Sequence, residues 1–261
     1  MDLGLQDKKA AVTGSSQGIG FAIARALAAE GCSVAICARG EERLESARRD
    51  LEARGVKAVA VVADLGTEAG CKTFIEQAVA GLGGLDILVN NVGGMIPGTL
   101  ESLRTEDWER VLGVNLMAAV YTTKYAVPHL RKGRAARVLN VSGVSGTQLM
   151  PGALTTTLPN AAIIGFSKIV AGELGSAGIT VNNICPGLTN TESWGPRAEA
   201  MAKVRGVTAE QVRASIAAQT LLGRWAEPEE IGNAAAFLVS EKNSYMTGTT
   251  VEVCGGFTRY I

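Results

Sequence analysis

Neither sign of charge is in surplus in this chain. Its 25 Lys and Arg residues balance 25 Asp and Glu. No global field therefore draws nucleic acid or an anionic membrane surface, and the expected partner is a small molecule. Paired cysteine motifs are also lacking. Cys32, Cys37, Cys71, Cys185 and Cys254 are odd in number and none forms a Cys-x-x-Cys, which argues against a disulfide framework or a bound structural metal and fits a reducing compartment. No apolar run reaches the roughly 18 residues that a membrane span needs. The opening residues, MDLGLQDKKAAVTG, lack the basic-then-apolar order of a secretory signal. The expected location is the cytoplasm. Histidine is scarce too: His129 stands alone after Pro128, near a predicted helix end that suits a cation, and is read as a helix-end residue rather than a base.

What the chain does have is a rhythm. Short runs rich in Val and Ile recur as AAVTG, SVAICA, VAVVAD, DILVNN, RVLNVSG, ITVNNICPG and TTVEVCGG. Continuous apolar runs of that length suit strands buried on both faces. Between them lie segments with helical spacing, such as IGFAIARALAAEG, EERLESARRDLEARG and EPEEIGNAAAFLVS, the last with Pro228 in its first turn. Strand and helix alternate from end to end. The expectation is a single α/β domain over residues 1–261, a doubly wound parallel sheet with helices on both faces. Residues 188–222 break the rhythm: they are long, polar and interrupted by Gly195 and Pro196, and they are read as a substrate-loop region.

TGSSQGIG, Thr13 to Gly20, sits between the first strand and the first helix. Gly14 permits a tight turn, and Gly18 and Gly20 let backbone and helix approach a pyrophosphate at the helix N-terminus. Together with NNVG (Asn90 to Gly93), ICPGLTNT (Ile184 to Thr191), GRWAEPEEIGNAAAFLVS and SYMTGTTVEVCGG, this turn resembles the short-chain dehydrogenase/reductase family along nearly the whole chain. The resemblance implies a Rossmann-type sheet of about seven parallel strands, a nicotinamide cofactor, and a homodimer or homotetramer. It assigns cofactor contacts to Gly14, Ser16, Gly18, Ile19 and Gly20 in the phosphate turn. Asp64 and Leu65 fall beside the adenine; Asn90, Val92 and Gly93 line the ribose and support the sheet. Pro186, Gly187 and Thr191 fall near the nicotinamide amide. The second strand ends on Ala38, where NAD binding commonly uses an acid, and Arg39 follows. A missing acid removes repulsion toward a 2′-phosphate and a guanidinium can pair with it, so NADP(H) is expected in preference to NAD(H).

The reaction end departs from the resemblance. The family's chemistry uses a tyrosine that exchanges the proton, a lysine four residues later, a serine thirteen residues earlier, and an asparagine on a preceding helix; general acid–base help of this kind is worth roughly 10²–10⁴ in rate. Asn115 matches the asparagine. Anchored by NVSGVSG and IIGFSK, the serine position falls on Gly143, the tyrosine position on Thr156 and the lysine position on Asn160. Ser142 is expected to point away, as adjacent strand residues do, while Ser145 returns to the site's side. The candidate catalytic set is therefore Asn115, Ser145, Thr156 and Asn160, with no metal. Pro159 is expected in the first turn of a helix beginning near Leu158 and capped by Thr157. Lys124, Tyr121 and Tyr125 follow Asn115 on a helix that the resemblance assigns to a subunit interface. Three readings stay open: an oxidoreductase with an altered proton relay, a non-redox lyase, hydrolase or isomerase on the same scaffold, and an inactive binding module.

Overall fold

The computed structural model describes residues 1–133, 135–148, 150 and 153–259. Each apolar run of the sequence forms a strand: β1 (Lys9–Val12), β2 (Ser33–Ala38), β3 (Ala58–Val62), β4 (Ile87–Asn90), β5 (Arg137–Val141), β6 (Thr180–Pro186) and β7 (Thr250–Val253). They pair in parallel in the order β3-β2-β1-β4-β5-β6-β7. Alternate residues enter two cores. Ala10, Val12, Val34, Ile36, Ile87 and Val89 pack under α1 (Gly18–Ala29), α2 (Glu41–Glu52) and α9 (Pro228–Leu238). Ala11, Ala35, Leu88, Val138 and Val181 face α3 (Glu68–Leu82), α5 (Ala118–Leu130) and α6 (Leu154–Leu174). This is a doubly wound single domain with seven strands among the described residues.

The strand order reverses between β1 and β4, and the crevice at their carboxyl ends is where such sheets bind ligands. A buried polar network fixes that edge. The Asn90 amide donates to Thr123 Oγ1 at 3.0 Å and to Asn140 Oδ1 at 2.8 Å, and the Thr122 hydroxyl donates to Asn90 Oδ1 at 2.6 Å. Asn140 in turn donates to Ser167 Oγ at 2.8 Å. Every member has a partner, so the network ties β4 and β5 to α5 and α6 instead of destabilising the core.

Two expectations are corrected. α6 begins at Leu154, not near Leu158, and Thr157 is a buried residue within it rather than its cap. Pro159 is thus inside the helix, beyond the first turn. Its missing N–H leaves the Thr155 carbonyl without a helical donor, and the Asn115 amide donates to that carbonyl instead, at 3.4 Å. The 188–222 segment is largely helical: α7 (Trp194–Arg205) and α8 (Ala209–Ala217) pack together through Ala198, Ala202, Val212 and Ile216. Pro196 falls in the first turn of α7, where its missing N–H costs no bond.

Candidate functional site: a two-lobed cleft at the carboxyl edge

Along the carboxyl edge of the sheet runs a cleft of two lobes, about 620 and 260 Å³, joined at Val92, Gly93, Gly94, Met95 and Asn115. The larger lobe opens over β1 and β2. Gly14 and Gly18 hold φ of 61° and 59°, values that L-residues rarely adopt. A Cβ at Gly20 would lie 2.3 Å from the Gly14 carbonyl oxygen, so helix and turn meet only because none is there. No side chain caps the N-terminus of α1, whose N–H groups and dipole are therefore available to an anion. The turn is fixed from below: Asn91 Nδ2 donates to the Thr13 and Gly14 carbonyls at 3.0 Å each, and the Asn91 and Val92 N–H groups donate to Thr13 Oγ1.

The far wall of this lobe carries two arginines. Arg39 follows β2, and Arg43 reaches in from the first turn of α2, where its guanidinium donates to Gln17 Oε1. Asp64 and Leu65 line the same lobe just after β3, Asp64 turning the chain by accepting from the Gly66 N–H at 3.0 Å. Cys37 also lines the lobe, but burial pushes its thiol up to about 12, so it stays neutral. The residues fit a dinucleotide phosphate: a backbone cradle that a Cβ would fill, a free helix N-terminus, and two cations where an acid would repel.

The smaller lobe lies over β4, β5 and β6. Asn115 sits in a π-helical turn, Gly113–Met117, between α4 (Thr105–Leu112) and α5; the wider turn is a common way to present a side chain from a helix. Its amide is fully engaged, accepting from the Gly94 N–H at 2.7 Å and donating to the Gly94 carbonyl at 2.8 Å as well as to Thr155. Thr156 lines the lobe, its hydroxyl donating to the Ala153 carbonyl at 3.1 Å. Asn160 lines it too and donates to Ser145 Oγ at 2.9 Å, so those two expected residues do meet, with Ser145 buried behind the amide. A Cβ at Gly143 would lie 3.0 Å from Asn160 Nδ2. Ser142, expected to point away, instead lines the smaller lobe at the end of β5, its hydroxyl accepting from Asn183 Nδ2 at 2.9 Å and lying 3.1 Å from Cys185 Sγ, whereas Ser145 is not among the lining residues.

Of the remaining expected residues, Ser16 lines the larger lobe, and Ile19, Gly187 and Thr191 line the smaller one. Thr191 also closes over the phosphate turn, its Cγ2 3.4 Å from where a Gly18 Cβ would stand. Asn90 and Pro186 lie beneath the cleft, Asn90 in the network described above and Pro186 at the buried end of β6. Sequence reasoning missed Arg43, Asn91 and Arg197. Arg43 stands in the first turn of the helix that follows Arg39, a closeness in sequence that could have revealed it; a lone arginine such as Arg197 on a surface helix gives no such signal.

A doubly wound sheet with a glycine cradle at its switch point and a second lobe beside it defines a dinucleotide-dependent enzyme scaffold. A family model described as enoyl-(acyl carrier protein) reductase matches residues 14–258. The chain is 33% identical over 250 residues to the 3-oxoacyl-(acyl-carrier-protein) reductase FabG of Staphylococcus aureus, covering 95% of this chain and 97% of that one. Among solved structures, L-sorbose reductase from Gluconobacter frateurii, complexed with NADPH and L-sorbose, superposes with a TM-score of 0.96 at 34% identity over 100% of both chains. A short chain dehydrogenase from Burkholderia cenocepacia in complex with NADP gives 0.87 at 31% identity, covering 97% and 99%. The chain belongs to the short-chain dehydrogenase/reductase family of oxidoreductases.

Proposed function

We propose that this protein is an NADP(H)-dependent oxidoreductase that interconverts a carbonyl and an alcohol in a small substrate, with a proton relay unlike the Ser, Tyr and Lys set of its family. The observation that carries the cofactor choice is the pair Arg39 and Arg43 on one wall of the larger lobe, with no acid at the end of β2. When bound, the nicotinamide supplies or accepts the hydride. The chain's own part is to orient and to manage a proton. Gly14, Gly18 and Gly20 bring the backbone to the phosphates, Asp64 and Leu65 wall the adenine side, and Thr191 closes over the turn. Val92 and Gly93 line both lobes, at the junction where cofactor and substrate would meet.

In the smaller lobe no described side chain titrates near neutrality. The proton must therefore pass through hydroxyl and amide groups and water, with Thr156 and Asn160 nearest the reacting oxygen, Ser145 fixing the Asn160 amide and Asn115 fixing the backbone at Thr155. An aliphatic hydroxyl is a far weaker acid than a phenol, so turnover of ordinary ketones should be slow. NADP(H) relatives and the intact cradle favour this reading over a non-redox enzyme. A cytoplasmic homodimer or homotetramer completes the proposal.

Calorimetric titration with NADPH and NADH tests it. NADPH should bind more tightly, and replacing Arg39 and Arg43 together by Ala should erase the difference, about 10- to 100-fold for lost charge-assisted hydrogen bonds. Equal affinities in the unmodified protein would end the NADP(H) assignment.

A further inference from the structure

Arg197 is the one ionisable side chain among the described residues that line the smaller lobe. The rest of that wall is neutral, including the hydroxyls of Thr156, Thr189, Thr191 and Ser193. Arg197 is half-buried, and among the described residues no carboxylate pairs with it. Burial alone lowers its pKa below the usual guanidinium range, with no acidic neighbour to offset it; it nonetheless stays charged at neutral pH. An unpaired, partly desolvated cation in a pocket is costly unless a ligand brings the counter-charge.

The cation is also held in place. Its guanidinium lies 5.5 Å from the centroid of the Trp194 ring. Trp194 meets Trp225 edge-on at 4.7 Å between centroids. Trp225 is anchored in turn, its indole N–H donating to the Arg213 carbonyl at 3.1 Å and its ring 4.4 Å from the Arg213 guanidinium. Arg213 is further fixed by donating to Asn190 Oδ1 at 2.8 Å. A guanidinium held near an aromatic ring and free of any carboxylate keeps its N–H groups for an acceptor, and its planar fork suits a bidentate carboxylate or phosphate.

We infer that the substrate carries an anionic group, a carboxylate, at the end remote from its reacting carbon, and that Arg197 of α7 binds it across the lobe from Thr156 and Asn160. This rests on the reading of the smaller lobe as the substrate site. The same guanidinium chemistry could serve the cofactor's pyrophosphate, and the experiment separates the two sources.

The NADPH-saturated full chain is titrated calorimetrically with acetoacetate, levulinate and 5-oxohexanoate, whose carboxylates stand one, two and three methylenes from the carbonyl, and with the methyl ester of each. At least one carboxylate should bind about 10-fold or more tightly than its ester, the range expected for a charge-assisted pair. Arg197→Met should erase that preference while leaving ester and NADPH binding unchanged, and Arg197→Lys should keep part of it. Carboxylates that bind no better than their esters would overturn the inference, as would a preference that survives in Arg197→Met. A loss of NADPH affinity in Arg197→Met equal to the loss for the acids would overturn it as well, by assigning the guanidinium to the cofactor. If NADPH itself does not bind, the cofactor reading fails separately, and the same acid–ester comparison on the free chain still decides the role of Arg197. Because binding is read, slow chemistry cannot mask any outcome.

Discussion

At positions 143 and 160 the two residues fit one another. Asn160 donates to Ser145, and its amide occupies the space beside Gly143 that a larger residue would enter. Adding a serine at 143 alone would crowd that amide, because its Cβ would stand 3.0 Å from Asn160 Nδ2. Replacing Asn160 at the same time removes the clash. The combined variant Gly143→Ser, Thr156→Tyr, Asn160→Lys should therefore fold, and should raise NADPH-dependent reduction of a carbonyl that fits the lobe by about 10²-fold or more, the scale of general acid catalysis. The rate is followed by loss of NADPH absorbance. A well-folded triple variant with no gain would mean that the lobe no longer orients a carbonyl for reduction.

At the scale of elements, most of the sheet was legible and parts of the site were not. The central strands announced themselves because a parallel strand buried on both faces must be continuously apolar; AAV, VAIC and ILV leave little alternative, while the edge strand β7, TVEV, is only half-buried. The start of α6 was hidden because three threonines and Pro159 read locally as a cap and first turn. Burial of Thr155 and Thr157, and the donation from Asn115 to the carbonyl freed by Pro159, override that local preference. The helices α7 and α8 were hidden by Gly195, Pro196 and a core of alanines too small to print an apolar stripe. Arg43 and Arg197 look like solvated helix arginines until the fold places them on cleft walls.

One element also carries a pH signature. At the start of α9, Glu230 accepts both ends of the Arg224 guanidinium, at 2.7 and 2.8 Å, and the Glu227 N–H at 2.9 Å. Those bonds hold its carboxyl down at about 2 from the ordinary 4.5, first through Arg224 and then through the Glu227 backbone. A depressed carboxylate stabilises the fold above its unfolded pKa, and that contribution is lost as pH falls through the folded one. The pair is solvent-exposed, so its worth is modest, under about 1 kcal/mol. Glu230→Gln should melt slightly below the unmodified protein at pH 7 and pH 5, with the gap closing between 4.5 and about 2. A gap that widens on acidification would refute the capping role.

At the scale of the whole molecule, α6 joins the site to the outside. Its inner residues Thr156 and Asn160 line the smaller lobe, while Leu158 and Ile169, 51% and 66% exposed, share one outer face; a separation of three helical turns brings them into line. Ala161, Ala162, Gly165 and Gly172 are exposed on the same helix. An apolar, small-residue face of this length suits a second copy of the chain packed helix against helix. Lys124 and Tyr125 of α5 are already occupied within one chain, both donating to Glu68 of α3, at 2.9 and 2.8 Å, which leaves α6 to supply the apolar contact. Sedimentation at micromolar concentration should therefore return at least twice the chain mass of 27.0 kDa. Ile169→Glu should shift the protein toward single chains, since a charge buried at an interface without a partner is strongly unfavourable. Because the opposite side of the same helix holds Thr156 and Asn160, that variant should also loosen the smaller lobe and weaken substrate more than NADPH, whose phosphates are proposed to sit on α1. An unmodified protein that sediments as a single chain would leave the outer face of α6 solvent-exposed and would remove any link between assembly and the site.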